Sequence, residues 1–326
     1  MNAARPVKLT IRGRELPLPV FFPSISSVKT ALPLHDYLQI LSSLSGLNRQ
    51  FLVSAYDLSS AENPMHVKNI LASVRREGLI TVMDSGNYES YWKNAQTDWR
   101  QADFHKVLSA FPCDMAFSFD EQNPPSDSND HVTLVVERYR KDQAIAGSCQ
   151  IIPIIHAPAG ELPDLCMTVA SETSVTMLAV PERKLGDGIL ARAQTVKTIR
   201  SALDKLGRYV ALHLLGTGNP ISITLYSVMG ADSMDGLEWC QTAVDHETGL
   251  LYHFSHADFF SAQTEWNNRD LSFQVRTLAH NLEFYSDWMR RLRDAICQKQ
   301  LHDFCRLNLP KRVFQHCADF AGWKKL

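Results

Sequence analysis

Short apolar runs recur along the chain, each closed by a polar or glycine residue and each followed by a stretch of helical spacing. They are PVFFPSI (19–25), FLVSAYD (51–57), LITVMDSG (79–86), MAFSFDE (115–121), QIIPIIH (150–156), SVTMLAVPE (174–182), YVALHLLG (209–216) and ADSMDG (231–236). Almost unbroken apolar runs of this length suit strands covered on both faces, as in a parallel sheet. Amphipathic spans at 35–48, 64–77, 186–205 and 220–230 fall between them. Eight such units predict an α/β fold, a closed (β/α)8 TIM barrel. An open doubly wound sheet commonly carries Gly-x-Gly-x-x-Gly after its first strand, and that motif is absent. From Leu271 the pattern turns helical, with Leu278, Leu282, Phe284, Tyr285, Trp288, Met289 and Leu292 at spacings that line one helix face. This segment, about 271–326, predicts helices that close the barrel wall, with a basic tail at Lys311, Arg312, Lys324 and Lys325. NPPSDSND (123–130) reads as a surface loop, and nothing divides residues 1–326 into more than one domain.

Composition narrows the class. A hydrophobic fraction of 45% and a charged fraction of 21% are those of a globular protein, and no apolar run is long enough to cross a bilayer, so no membrane association is expected. The opening MNAARPVKLTIRGRELPLP lacks the apolar stretch of a secretory signal, and the seven cysteines follow no disulfide framework. A cytoplasmic location is therefore expected. With a formal net charge of −2, a nucleic-acid partner would have to be met by a local basic patch.

In a parallel barrel the reacting groups come from the C-terminal ends of the strands. Those ends carry Asp57, Asp84, Asp120 with Glu121, His156, Glu182, and Asp232 with Asp235. Any one of them alone reads as the N-cap of the next helix. Together they read as a polar active site rich in carboxylates.

The strand-end segments resemble the tRNA-guanine transglycosylase (queuine or archaeosine tRNA-ribosyltransferase) superfamily. PVFFPSISSVK (19–29) is similar to its opening strand and turn, MDSGNY (83–88) to Asp-Ser-Gly-Gly-Phe, and FDEQNP (119–124) to Phe-Asp-Glu-Cys-Thr-Pro. MLAVPE (177–182) is similar to Gly-Leu-Ala-Val-Gly-Glu, LLGTGNP (214–220) to Met-Gly-Val-Gly-Thr-Pro, and GADSMDG (230–236) to Gly-Ile-Asp-Met-Phe-Asp-Cys. HNLEFYSDWMRRLRDAI (280–296) is similar to the helix after the family's zinc site. The segments stand in the family's order.

The resemblance implies a pentosyltransferase that exchanges guanine for a 7-deazaguanine base in a nucleic acid. It assigns the nucleophile to Asp235, with Asp232 as a structural rival, and the general acid/base to Asp84. Asp120 would accept from guanine N1–H and the exocyclic amine. Ser85 accompanies Asp84 in the same segment, and Tyr88 stands where the family has phenylalanine, its reading divided evenly between stacking on an extruded base and core packing. His156 replaces a glutamine that contacts the base. The Leu178–Ala179 peptide and Glu182 match the backbone and acid that meet the 7-position, with Pro181 stiffening the turn in place of glycine. Gly216 and Gly218 would let backbone approach the ribose-phosphate.

Two departures bear on the polymer. The family's Cys-x-Cys-x-x-Cys zinc motif is not matched: His280 aligns with its histidine, but residues 255–279 hold no cysteine. Cys297, His302, Cys305, His316 and Cys317 follow no zinc spacing, so no metal and no other cofactor is expected. GLEWCQTAVDHETG (236–249) replaces the segment that helps hold the anticodon loop. Both changes favour DNA over tRNA as the nucleic-acid partner. Lys93, Arg100, Arg183, Lys184, Arg192 and Arg290 are the candidates for phosphate contact. The other readings are a zinc-less tRNA enzyme, a non-catalytic partner subunit, and a barrel acting on free nucleosides. The presence of both Asp84 and Asp235 argues against a silent subunit. A homodimer and a complex with a partner chain both stay open.

Overall fold

The computed structural model describes residues 5–28, 30–92 and 99–323. The chain opens with a hairpin, β1 (Lys8–Ile11) and β2 (Arg14–Pro17), whose two-residue turn puts Arg12 and Gly13 at φ 52° and 78°. Positive φ at both positions is the geometry that matches the twist of the flanking strands. Eight parallel strands follow: β3 (Val20–Ile25), β4 (Gln50–Ser54), β5 (Ile80–Asp84), β6 (Met115–Phe117), β7 (Gln150–Ile152), β8 (Met177–Pro181), β9 (Ala211–Leu215) and β10 (Ser233–Gly236). Each coincides with one of the apolar runs, β4 starting one residue earlier at Gln50. They pair in the order β7-β6-β5-β4-β3-β10-β9-β8, and β7 meets β8 through a single parallel bridge, Ile154 to Ala179. The barrel is closed there by hydrogen bonds from Ile155 N to Ala179 O and from Ala179 N to Pro153 O, both 2.9 Å.

The alternation within each strand explains why the runs are apolar throughout. Val20, Phe22, Ile80, Val82, Met115, Phe117, Ile152 and Ala179 point inward and pack on one another. Phe21, Ile25, Phe51, Val53, Met83, Ala116, Leu178 and Val180 point outward, into the layer beneath the helices. Ile11, Leu16 and Leu18 of the hairpin join the inner cluster and plug its N-terminal end. The same alternation, carried to the other end of the barrel, delivers Ser24, Asp84, His156, Pro181, Leu215 and Asp235 to the inner face, and all six line one cavity.

The helical layer comprises α1 (Leu34–Ser43), α2 (Ala55–Ser59), α3 (Pro64–Arg76), α4 (Asn87–Trp92), α5 (Gln101–Ala110), α6 (Ser128–Ile145), α7 (Leu162–Thr173), α8 (Gly188–Leu203) and α9 (Pro220–Met229). The strand-end acids do not serve as the caps of these helices. α3, α6 and α9 are capped by Asn63, Asp127 and Asn219, whose side chains accept backbone N–H groups. The capping reading therefore loses to the reading of the acids as a group.

After β10 come α10 (Glu238–Gln241), a second hairpin of β11 (Thr242–Val244) and β12 (Leu251–His253), 3-10 turns, and the helices α11 (Phe273–Cys297), α12 (Leu301–Asn308) and α13 (Lys311–Ala321). α11 completes the wall beside β3 and α9. Its Tyr285 ring stacks on Phe21 at 4.5 Å and Trp288 donates to Thr224 Oγ1 at 3.1 Å. Each large apolar side chain it removes from water stabilises the fold by about 1.5–3 kcal/mol. Asn281 of α11 ties down the segment after β10, donating to Trp239 O (2.8 Å) and Thr242 O (2.6 Å) and accepting from Val244 N (3.1 Å). Among the described residues no helix is long and apolar enough to cross a membrane.

Candidate active site

The cavity at the C-terminal end of the barrel has a volume of about 450 Å³, and Asp84, Glu89, Asp120, Glu182, Asp235 and Glu238 all line it. Arg183 and Arg192 are the basic residues of its wall. A second cavity of about 450 Å³ lies between the β3–α1 loop and α3 and includes Asp57 in its wall. Asp57 is occupied there in holding the loop, accepting from Ser27 N at 2.6 Å and from the Ser27 hydroxyl. It does not reach the first cavity. Glu121 also lies apart, paired with Arg138 at 3.0 Å.

Asp235 is held on both oxygens. Ser24 Oγ donates to Oδ2 at 2.7 Å, while His213 Nε2 (3.0 Å) and Gly216 N (3.2 Å) meet Oδ1. Gly216 is solvent-exposed with φ 77°, and nothing lies where its side chain would be. Glycine adopts that conformation without the penalty other residues carry, which lets the turn aim its N–H at the carboxylate.

Asp84 stands in a different environment. Its carboxyl is pushed well above the usual range, first by burial and then by the charges of Glu89, Asp120 and Asp235; only the Gly86 N–H, at 3.0 Å, opposes this. Two further acids join it. Burial and Asp57 push Glu89 up to about 7 against the hydrogen bond from Ser26, and burial with Glu182 and Asp235 pushes Glu238 up to about 7. The cavity thus sets carboxyl groups raised toward the acid form beside another that is held by hydrogen-bond donors on both oxygens.

Beside Asp84, burial alone would raise Asp120, but hydrogen bonds from His156 and Ser85 outweigh it and hold Asp120 below the usual range. His156 Nε2 lies 2.6 Å from Oδ2 and Ser85 Oγ 2.9 Å from Oδ1. Gln122 Nε2 also donates to Oδ2, at 2.6 Å, and its own carbonyl accepts from Arg183. The Arg183 guanidinium sits 5.7 Å from the centre of the Tyr88 ring, which lines the cavity and is half-buried. Glu182 accepts from Tyr226 OH at 2.9 Å and pairs with Arg192 at 3.1 Å.

Three of the expected binding residues are not brought to the cavity wall. Leu178 points outward into the layer beneath the helices, and the Leu178–Ala179 peptide spends its N–H on closing the barrel at Pro153 O. Gly218 is buried, and its missing side chain makes room for a carboxyl group of this protein. A Cβ on Gly218 would lie 1.9 Å from Glu238 Oε2, and one on Gly236 would lie 2.4 Å from it. The two glycines cradle Glu238, and the Gly218 N–H helps to hold its carboxyl. Asp232 lies just before β10, on the far side of the strand from the cavity, bound to Arg5, Arg200 and Tyr209.

Of the phosphate candidates, Arg183 and Arg192 line the cavity, Lys184 does not, Arg100 caps α5, and Arg290 is paired with Asp287 and Asp294. Lys93 lies outside the described residues, as do Lys324 and Lys325. His280 places Nε2 2.8 Å from Val244 O and Nδ1 3.3 Å from Thr264 Oγ1, its ring tilted against His246 at 4.2 Å between centroids. His302 packs on Phe314 and Trp323, while Cys305 and Cys317 are buried and Cys297 is exposed.

The sequence reading did not single out Ser24, Glu89, Gln122, His213 or Glu238. Ser24 and His213 lay inside recognised strands, and their inward parity was the signal that could have found them. Glu89, Gln122 and Glu238 follow strand ends by a few residues, where parity no longer applies. A scan of the sequence against protein-family models finds no match, and no curated protein matches it.

Proposed function

We propose that this cavity exchanges a guanine base in a nucleic acid for a 7-deazaguanine, with DNA as the favoured polymer. The observation that carries the reading is the unlike environment of two acids in one cavity. Asp235 is held by donors on both oxygens, whereas burial and neighbouring acids push the Asp84 carboxyl well above the usual range, toward the acid form. That is the division a double displacement at a sugar carbon requires. In this reading an Asp235 oxygen attacks C1′ as the C1′–N9 bond breaks, and the Asp84 proton passes to the departing guanine. The incoming base then gives its proton back to Asp84 as its nitrogen attacks C1′ and the ester to Asp235 breaks.

Base recognition falls to Asp120 and the groups around it. Asp120 is kept ionised and offers acceptors to the N1–H and exocyclic amine of guanine, once the Gln122 amide leaves Oδ2. The Tyr88 ring offers a stacking face and His156 a fixed neighbour. Glu182, Arg183 and Arg192 supply the charged rim, the two arginines being suited to phosphate. DNA is preferred over tRNA because the segments by which the resembled family holds tRNA are replaced here at 236–249 and 255–279.

Incubation with labelled guanine should transfer label into duplex DNA faster than into tRNA. Faster transfer into tRNA would overturn the choice of polymer, and transfer into neither would favour a binding subunit or a nucleoside enzyme. In single-turnover adduct formation, the wild-type rate should fall as the pH rises through the elevated pKa of Asp84, because the acid form delivers the proton. Asp84→Asn should lower that rate by roughly 10²–10³-fold and remove the alkaline limb. An unchanged limb would assign the proton to another group.

A further inference from the structure

We propose that His213 is the positioning residue that fixes the attacking carboxylate, so that Asp235 works as the end of a buried Ser233–His213–Asp235 chain. The proposal rests on the base-exchange reading for its kinetic consequences, but the chain is a feature of the barrel interior. His213 is 1% exposed, with Nδ1 2.7 Å from Ser233 Oγ and Nε2 3.0 Å from Asp235 Oδ1. In the base-exchange reading Asp235 attacks as a carboxylate, which can only accept, and this puts the Nε2 proton on the side of Asp235. The ring is held from the sides by Phe117, at 4.7 Å between centroids, and by Phe22, at 6.4 Å.

The location gives the imidazole its meaning. His213 pairs in register with Ala179 on one side and Ser233 on the other, in a layer of the barrel otherwise filled by Phe22, Phe117 and Ile154. Barrel interiors of this kind are normally packed with branched apolar side chains. A buried polar ring here costs free energy unless both nitrogens find partners, and both do. His213 does not line the cavity, so it reaches the reaction through Asp235 alone. Oδ1 is met by His213 and Gly216, whereas Oδ2 is met by Ser24, which leaves Oδ2 more lone-pair capacity and makes it the attacking atom. Without the imidazole the carboxylate could rotate about its Cβ–Cγ bond and present its oxygens in the wrong plane.

The test compares His213→Phe, His213→Gln and Ser233→Ala in the full chain. His213→Phe should lower the rate of adduct formation by about 10²-fold while the KM for guanine stays within about threefold, since a misplaced reacting atom affects the chemical step. His213→Gln, which can still donate an N–H toward Asp235, should recover at least about tenfold of that loss. Equal loss in both variants, or a KM that rises as far as the rate falls, overturns the proposal. A second readout needs no activity. In proton NMR the His213 Nε2 proton, identified by its disappearance in His213→Gln, should exchange slowly and move in Asp235→Asn and Ser233→Ala. If the wild type fails to exchange bases yet shows this resonance, the base-exchange reading falls and the positioning chain stands. If the resonance is absent or insensitive to Asp235→Asn, the chain itself is refuted.

Discussion

Replacing Asp235 by asparagine is expected to abolish base exchange while leaving the protein folded. The amide cannot form the ester to C1′, so turnover should fall by roughly four orders of magnitude, the scale seen when a nucleophile is removed. Denaturing electrophoresis of enzyme mixed with DNA should show a retarded, covalently linked species for the wild type and none for the variant. The fold should survive because Asp235 lines a cavity, where water can satisfy what the amide does not. Wild-type turnover in Asp235→Asn would move the nucleophile elsewhere; Glu238, on the same wall, would be the next acid to test.

Replacing Asp232 by alanine should have the opposite profile. Its side chain is 0% exposed; Oδ1 accepts from Arg5 Nε (2.9 Å) and Tyr209 OH (2.7 Å), and Oδ2 from Leu212 N (2.9 Å) and Arg200 Nη1 (3.3 Å). Removing it strands two guanidinium groups, a hydroxyl and a backbone N–H at the base of β9 and β10. Breaking a buried charged network of this kind costs about 3–5 kcal/mol, so Tm should fall by roughly 5–10 °C. The activity of the folded fraction at low temperature should stay within about threefold of wild type. A variant as stable as wild type but inactive would reverse the assignment of Asp232 and Asp235. The two residues are three apart in sequence, yet Asp232 is tied into a buried charged network just before β10 while Asp235 lines the cavity.

That pair shows where sequence reading succeeds and where it stops. Both acids were visible at the end of an apolar run, and the run's polar end predicted which rim of the barrel would carry the acidic cavity. The turn from β3 to α1 and the loops after β5 and β6 follow the same logic, and Asp84, Asp120 and His156 meet in the cavity as their positions implied. Leu178 and Gly218 did not. Leu178 sits on the outward parity of β8, and the space beside Gly218 belongs to Glu238. The N-terminal hairpin went unpredicted because its strands of four residues each are too short for alternation to stand out from a polar terminus.

The sequence by itself determined the barrel, because burial on both faces of a strand is a local property that writes itself into an apolar run, and a run of eight such units leaves few other folds. It also determined that the polar rim is acidic. Only the tertiary structure decided which acid is held by donors on both oxygens and which is pushed toward its acid form by burial. Those states depend on partners far apart in the chain, such as Ser24 donating to Asp235 across 211 positions and Ser26 donating to Glu89 across 63. Charge and hydrogen bonding act through space over a few ångströms, whereas the hydrophobic pattern acts along the chain.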